Sequence, residues 1–281
     1  MTRILGLGGA CGAAITGNCT LAIRFSPIAI QRYDSTLTFA FHHDGVRQTE
    51  NIVLKGEGGL IVGGTDFSRN RGVEAGLDGP LSVGMVRTKY FIADTSNNRV
   101  KLYDNVPTSS FPDGPGIVLG QFNSSTNLNL GNGSLATAAS MDGPTNATVC
   151  GGKFFVADKS NNRVLIWNSM PTTNGQAADL VLGQERMTNK TANRGGGVVA
   201  SSNTLSAPYG LACYSVGSVA MLFVSDSGNH RVLVWNDVSS AGIGADANQV
   251  LGQADFTSVV LNRGGTVAAN TFRLPTSMAV V

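Results

Sequence analysis

Three segments carry side chains that could do chemistry at matched spacing: ADTSNNRV at 93–100, ADKSNNRV at 157–164 and SDSGNHRV at 225–232. Each sets an Arg five residues after an Asp, giving the pairs Asp94 and Arg99, Asp158 and Arg163, and Asp226 and Arg231. Asn98 and Asn162 precede the Arg in the first two, and His230 takes that place in the third. The chemical readings are a metal loop or a catalytic Asp. Recurrence weighs against both, because catalytic machinery is normally unique in a chain and these groups return with every unit. The structural reading is a tight turn: Asp and Asn bond nearby backbone N–H groups and tolerate positive φ. The Arg then reaches an Asp of its own or the adjacent unit, and an exposed pair of that kind adds at most about 1 kcal/mol. We therefore expect structural residues here and no catalytic ones.

Other candidates are sparse. The histidines are His42, His43 and His230; His230 replaces an Asn in the repeat and reads as a turn residue. His42, His43 and Asp44 invite a metal, but neighbouring residues on a strand face opposite sides. No G-x-S-x-G elbow, P-loop or H-E-x-x-H is present. Cys11 and Cys19 are spaced to bridge in an oxidising compartment, whereas Cys150 and Cys213 read as small apolar residues ending similar strands. No cofactor is implied.

The elements that must position these residues follow from composition and repetition. Charged residues are only 14% of the 281, below the usual quarter, and net charge is +2. No basic stripe appears, which counts against a nucleic-acid partner. No run of about 18 apolar residues exists to span a membrane as a helix. Thirty-six Gly against nine Pro point to many turns between short strands.

VLGQ recurs at 118–121, 181–184 and 250–253, with degenerate copies in IVGGTDF (61–67) and ILGL (4–7). The marker glycines Gly6, Gly63, Gly120, Gly183 and Gly252 lie 57, 57, 63 and 69 residues apart. After each marker comes a polar stretch, then a Pro (Pro27, Pro80, Pro144, Pro208, Pro275), a short apolar run, an aromatic strand ending in Asp, and the Asn turn. A strand such as RVLIW follows, whose last residue is Tyr103, Trp167 or Trp235, expected to pack between units. A polar loop then leads to a final strand. Four short antiparallel strands per unit make a β-propeller blade, whose two apolar faces are buried only against neighbours. We expect one all-β domain over 1–281, with units at 7–63 (degenerate), 64–120, 121–183, 184–252 and 253–281 (partial).

Strand parity puts the Asn turns on the same rim as the crossovers between units, with VPTSSFPDG, MPTTNGQ and SSAGIGADA on the other. Each of three crossovers contains Asn-Arg-Gly, with its Arg 8, 11 and 11 residues past the marker glycine. Arg71, Arg194 and Arg263 are thus the candidate ligand face, for an anionic or carbonyl-rich ligand. The alternative is that each organises its loop by bonding backbone carbonyls.

The D-x-[SG]-N-x-R-V segment after an aromatic strand resembles the NHL repeat. The longer unit, with IWNSMPTTNGQAADLVLGQ between blades, is similar to NHL-repeat proteins of exported bacterial type. The resemblance covers about 60–281. It implies a propeller, generally of six blades, so about four full blades here read as a fragment of a longer propeller; a smaller closed ring is the rival. It implies an extracellular, periplasmic or cell-surface place and a non-enzymatic binding or scaffold role toward a protein, peptide or glycan. A metal-dependent propeller lyase or hydrolase with an axial site is the second reading. An RNA-binding NHL domain is the third. Sequons at Asn18, Asn123, Asn132, Asn146 and Asn189 matter only in a eukaryotic secretory pathway.

Overall fold

The computed structural model describes residues 76–105, 116–123, 126–128, 135–195, 199–217 and 219–280 in full. As backbone alone it describes 7–9, 21–23, 32–43, 46–57, 64–66 and 69–70. Arg71, Cys11, Cys19 and the marker glycines Gly6 and Gly63 lie outside the described residues.

In the first part of the chain the strands pair in twos: β1 (Leu7–Gly9) with β2 (Leu21–Ile23), β3 (Arg32–His43) with β4 (Val46–Glu57), and β5 (Gly64–Asp66) with β6 (Arg69–Asn70). In the unit expected over 7–63 the described residues form the pair β1 and β2 and a long hairpin of two twelve-residue strands, β3 and β4, and no four-stranded sheet. His42 and His43 sit at its turn, opposite Arg47 and Val46.

From Pro80 onward the expected order holds. Sheet I comprises β7 (Pro80–Val86), β8 (Lys89–Asp94), β9 (Arg99–Tyr103) and β10 (Ile117–Leu119). Sheet II comprises β11 (Pro144–Cys150), β12 (Lys153–Asp158), β13 (Arg163–Trp167) and β14 (Leu180–Leu182). Sheet III comprises β15 (Pro208–Val216), β16 (Val219–Asp226), β17 (Arg231–Trp235) and β18 (Gln249–Leu251). All three are antiparallel and ordered as in the chain. Between them the described residues form only 3-10 turns, and no helix there is long and apolar enough to cross a membrane.

The central strands are nearly continuous apolar runs because both sheet faces are covered. Across sheet II, Ala147, Val156, Leu165 and Val181 align on one face. With Phe154 and Trp167 they pack on Phe91, Val100, Leu102 and Leu119 of sheet I. The rings of Phe91 and Phe154 meet edge to face at 5.1 Å. The other face, with Phe155, Ala157, Val164, Ile166 and Leu182, packs on Leu211, Leu222, Val224, Leu233 and Trp235 of sheet III. Burying each of the larger side chains contributes about 1.5–3 kcal/mol, most of it between sheets, with Leu205, Val238, Met141 and Ala178 of the connections completing the clusters. Stability is therefore largely an interface property.

Local backbone sets the register. Each first strand begins at a Pro, which needs no ladder N–H there, and a bulge follows it. The residue before the Pro is left-handed in every described copy: Gly79, Gly143, Ala207 and Leu274. The marker glycines Gly120, Gly183 and Gly252 have φ of +85°, +85° and +88°. A Cβ at Gly183 would lie 2.6 Å from the Leu205 side chain, so glycine is required by both φ and space.

Candidate functional site

The recurrent Asp and Arg form one cluster per sheet, built where the second strand turns into the third. Thr95–Asn97, Lys159–Asn161 and Ser227–Asn229 each make one 3-10 turn, closed by a left-handed residue: Asn98, Asn162 and His230. In all three the Arg Nε donates to Asp Oδ2 at 2.7 Å within the same sheet, and both side chains have no exposure. The pair is a buried one, unlike the exposed pair expected from the sequence.

The remaining valences are filled with equal regularity. The Asp Oδ1 accepts the backbone N–H of Asp78, Asp142 or Ser206, and Asn97, Asn161 or Asn229 donates to the same carboxylate. The Arg163 Nη2 donates to Thr137 O and Ser140 O, and its Nη1 to Met187 O. Arg231 does the same with Ser201 O, Thr204 O and Phe256 O. One guanidinium thus ties the crossover entering a sheet to the crossover leaving it. Burial pushes the Asp158 and Asp226 carboxyls up, and the Arg charge, the N–H and the Asn amide pull them back.

The Gln of VLGQ is a second tie that its use as a marker did not disclose. Gln121 donates to Asn98 O and Leu128 O, Gln184 to Asn162 O and Thr191 O, and Gln253 to His230 O and Val260 O. Trp167 and Trp235 are buried and each closes its own long loop by donating Nε1 to Gln176 O or Ala245 O.

The Asn-Arg-Gly crossovers are left-handed turns. Asn193, Arg194 and Gly195 have φ of +51°, +62° and +74°, and Asn262, Arg263 and Gly264 repeat this at +49°, +55° and +77°. Asn and Gly are the residues that tolerate this conformation. The Asn193 and Asn229 side-chain amides bond reciprocally at 2.9 and 3.1 Å, so this crossover touches the turn of the sheet that follows it.

Arg194 donates Nη2 to Gly244 O at 3.2 Å and lies 3.6 Å from Glu185. Arg263 donates Nη2 to Gln253 O at 2.7 Å. Both guanidinium groups bond backbone carbonyls, as the loop-organising alternative requires. Gly244 belongs to the SSAGIGADA loop, expected on the opposite rim. Outer strands of only three residues let that loop drape across the edge, where Gly244 N donates to Val181 O; Gly175 N bonds Val118 O in the same way. Each outer edge of sheets I and II is thereby covered.

Two features depart from the repeat. Cys150 and Cys213, read above as separate apolar residues, form a disulfide joining β11 to β15 with Cα atoms 5.4 Å apart. Cys150 lies six residues past Pro144 and Cys213 five past Pro208. That offset of one turns them to opposite faces, and in adjacent sheets opposite faces meet. The offset was the available signal.

In sheet I, Lys101 occupies the place of Leu165 and Leu233 and is fully buried, its Nζ donating to Gly76 O at 2.7 Å. Burial first, and the Arg99 charge second, lower its amine to about 8 against the pull of Asp94. Tyr90 and Tyr103 stack beside it at 4.3 Å, and burial pushes the Tyr90 hydroxyl up to about 12.

Among the described residues no three His, Cys, Asp or Glu side chains converge to hold a metal ion. No protein-family model and no curated protein matches the chain.

Proposed function

We propose that the chain forms blades of an NHL-type β-propeller that works as a non-enzymatic binding or scaffold module. Its ligand is a protein, peptide or glycan met on a rim or along the axis. The observation that carries this reading is the fate of the recurrent polar groups. Asp94, Asp158 and Asp226 are each engaged by an Arg and an Asn of the following turn and strand and by a backbone N–H of the crossover entering the sheet. Groups so engaged hold loops in place and are not poised to exchange partners with a substrate. The loops they hold are rich in Asn, Ser, Thr and Gly, which suit adaptable hydrogen bonding to a ligand.

The inter-sheet disulfide supports an exported location, since disulfides persist in oxidising compartments. Screening the purified chain against glycan and peptide arrays, with titration of any hit, tests the proposal. Saturable binding with no bound ion is the expected outcome. A stoichiometric metal lost together with a lyase or hydrolase activity would replace this reading with an enzyme. A salt-sensitive RNA mobility shift would replace it with the RNA-binding one.

A further inference from the structure

The left-handed residue closing each Asn turn does a second job. Asn98 Oδ1 accepts the Gly143 N–H at 2.8 Å, and Asn162 Oδ1 accepts the Ala207 N–H at 2.8 Å. In both cases the donor is the left-handed residue just before the Pro that opens the next sheet. The amide oxygen thus latches one sheet to the start of its successor. At the third position the same bond exists with a different acceptor: His230 Nδ1 accepts the Leu274 N–H at 3.1 Å. An amide oxygen accepts at any ordinary pH, whereas imidazole Nδ1 accepts only while neutral, with its proton on Nε2.

We propose that His230 is a pH-operated latch, so that protonating it frees residues 273–280 from sheet III while the Asn98 and Asn162 latches stay closed. Charging the ring puts an N–H where the acceptor was, facing the Leu274 N–H. The same seam already holds a branched residue in a conformation it disfavours, Leu274 at φ +48°. Besides the latch, the segment is held by Ser227 Oγ donating to Pro275 O. Thr276 O also lies close over Gly210.

The charged groups around the ring come from each element against it. Asp226 and Arg231 flank its own turn and are bound to one another. Arg273 stands on the released segment. Arg263 on the crossover bonds Gln253 O, and Gln253 in turn bonds His230 O. Burial first, then Arg273, lower the imidazole against the pull of Asp226. With a folded value below the unfolded 6.5, the unfolded chain binds the proton first. The latch's contribution is therefore complete above about pH 6.5 and is lost as pH falls through the lower folded value.

Amide hydrogen exchange on the full chain, corrected for the intrinsic pH dependence, tests this. Protection of the Leu274 amide should drop about tenfold between pH 8 and pH 5, the scale of one hydrogen bond. The Ala207 amide, latched by Asn162, should show no such drop. His230→Asn restores the residue of the other two turns and should give Leu274 a flat profile. Arg273→Gln should move the wild-type transition to higher pH. Equal pH dependence in wild type and His230→Asn, no drop in wild type, or an unmoved transition in Arg273→Gln would each overturn the proposal.

Discussion

At the scale of the residue, the decisive fact is that Arg163 and Asp158 have no contact with solvent. A buried pair held by several further hydrogen bonds resists loss of one member, because the other is left charged in a poor medium. Arg163→Ala should cost about 3–5 kcal/mol, read as a lower urea midpoint at unchanged slope. A loss under 1 kcal/mol would return the pair to the exposed class expected from the sequence. The pair was legible there, and its burial was not. The carbonyls that bury it, Thr137, Ser140 and Met187, belong to crossovers without regular structure, whose path no periodicity reveals. Gln184 was hidden for a related reason: its partners Asn162 and Thr191 meet only after the crossover folds back.

At the scale of the element, strands were far more readable than their connections. KFFVAD and RVLIW combine β-branched and aromatic residues between turn residues, and they form β12 and β13 over those residues. The marker glycines end the outer strands in a fixed conformation. Gly183→Ala must hold Cβ at φ +85° against Leu205, so it should cost about 2 kcal/mol or more. Gly152→Ala, at φ +81° with open space around it, should cost only about 1 kcal/mol. Thermal or urea melts compare the two, and equal losses would show that φ alone, not packing, fixes the marker. Of the two readings open for the Asn-Arg-Gly crossovers, the carbonyl bonds of Arg194 and Arg263 fit the loop-organising one, and the three consecutive left-handed residues in each were not legible from the residue types alone. The draped loops were unreadable because their reach depends on outer strands being only three residues long.

At the scale of the whole molecule, sheets II and III are joined covalently and sheets I and II are not, among the described residues. The disulfide closes a span of 63 residues, for which chain-entropy arguments give about 4 kcal/mol. Reduction, or the Cys150→Ser/Cys213→Ser pair, should lower unfolding stability by about 2–4 kcal/mol without altering the far-ultraviolet circular dichroism. Identical urea midpoints with and without reductant would refute a stabilising role.

The disulfide also sits at the end of β11 opposite the Pro144 end, where the Asp158 cluster lies. The seam between sheets II and III is therefore pinned at both ends, once by sulfur and once by polar contacts. The seam between sheets I and II is fastened by the Asn98 latch, by the Gly175 N–H on Val118 O and by packing, with no covalent tie among the described residues. One sequence pattern thus yields two seams that differ by a covalent tie. The seam lined by Phe91 and Phe154 is accordingly expected to open ahead of the one locked by sulfur, an order that amide exchange on the two sides would reveal.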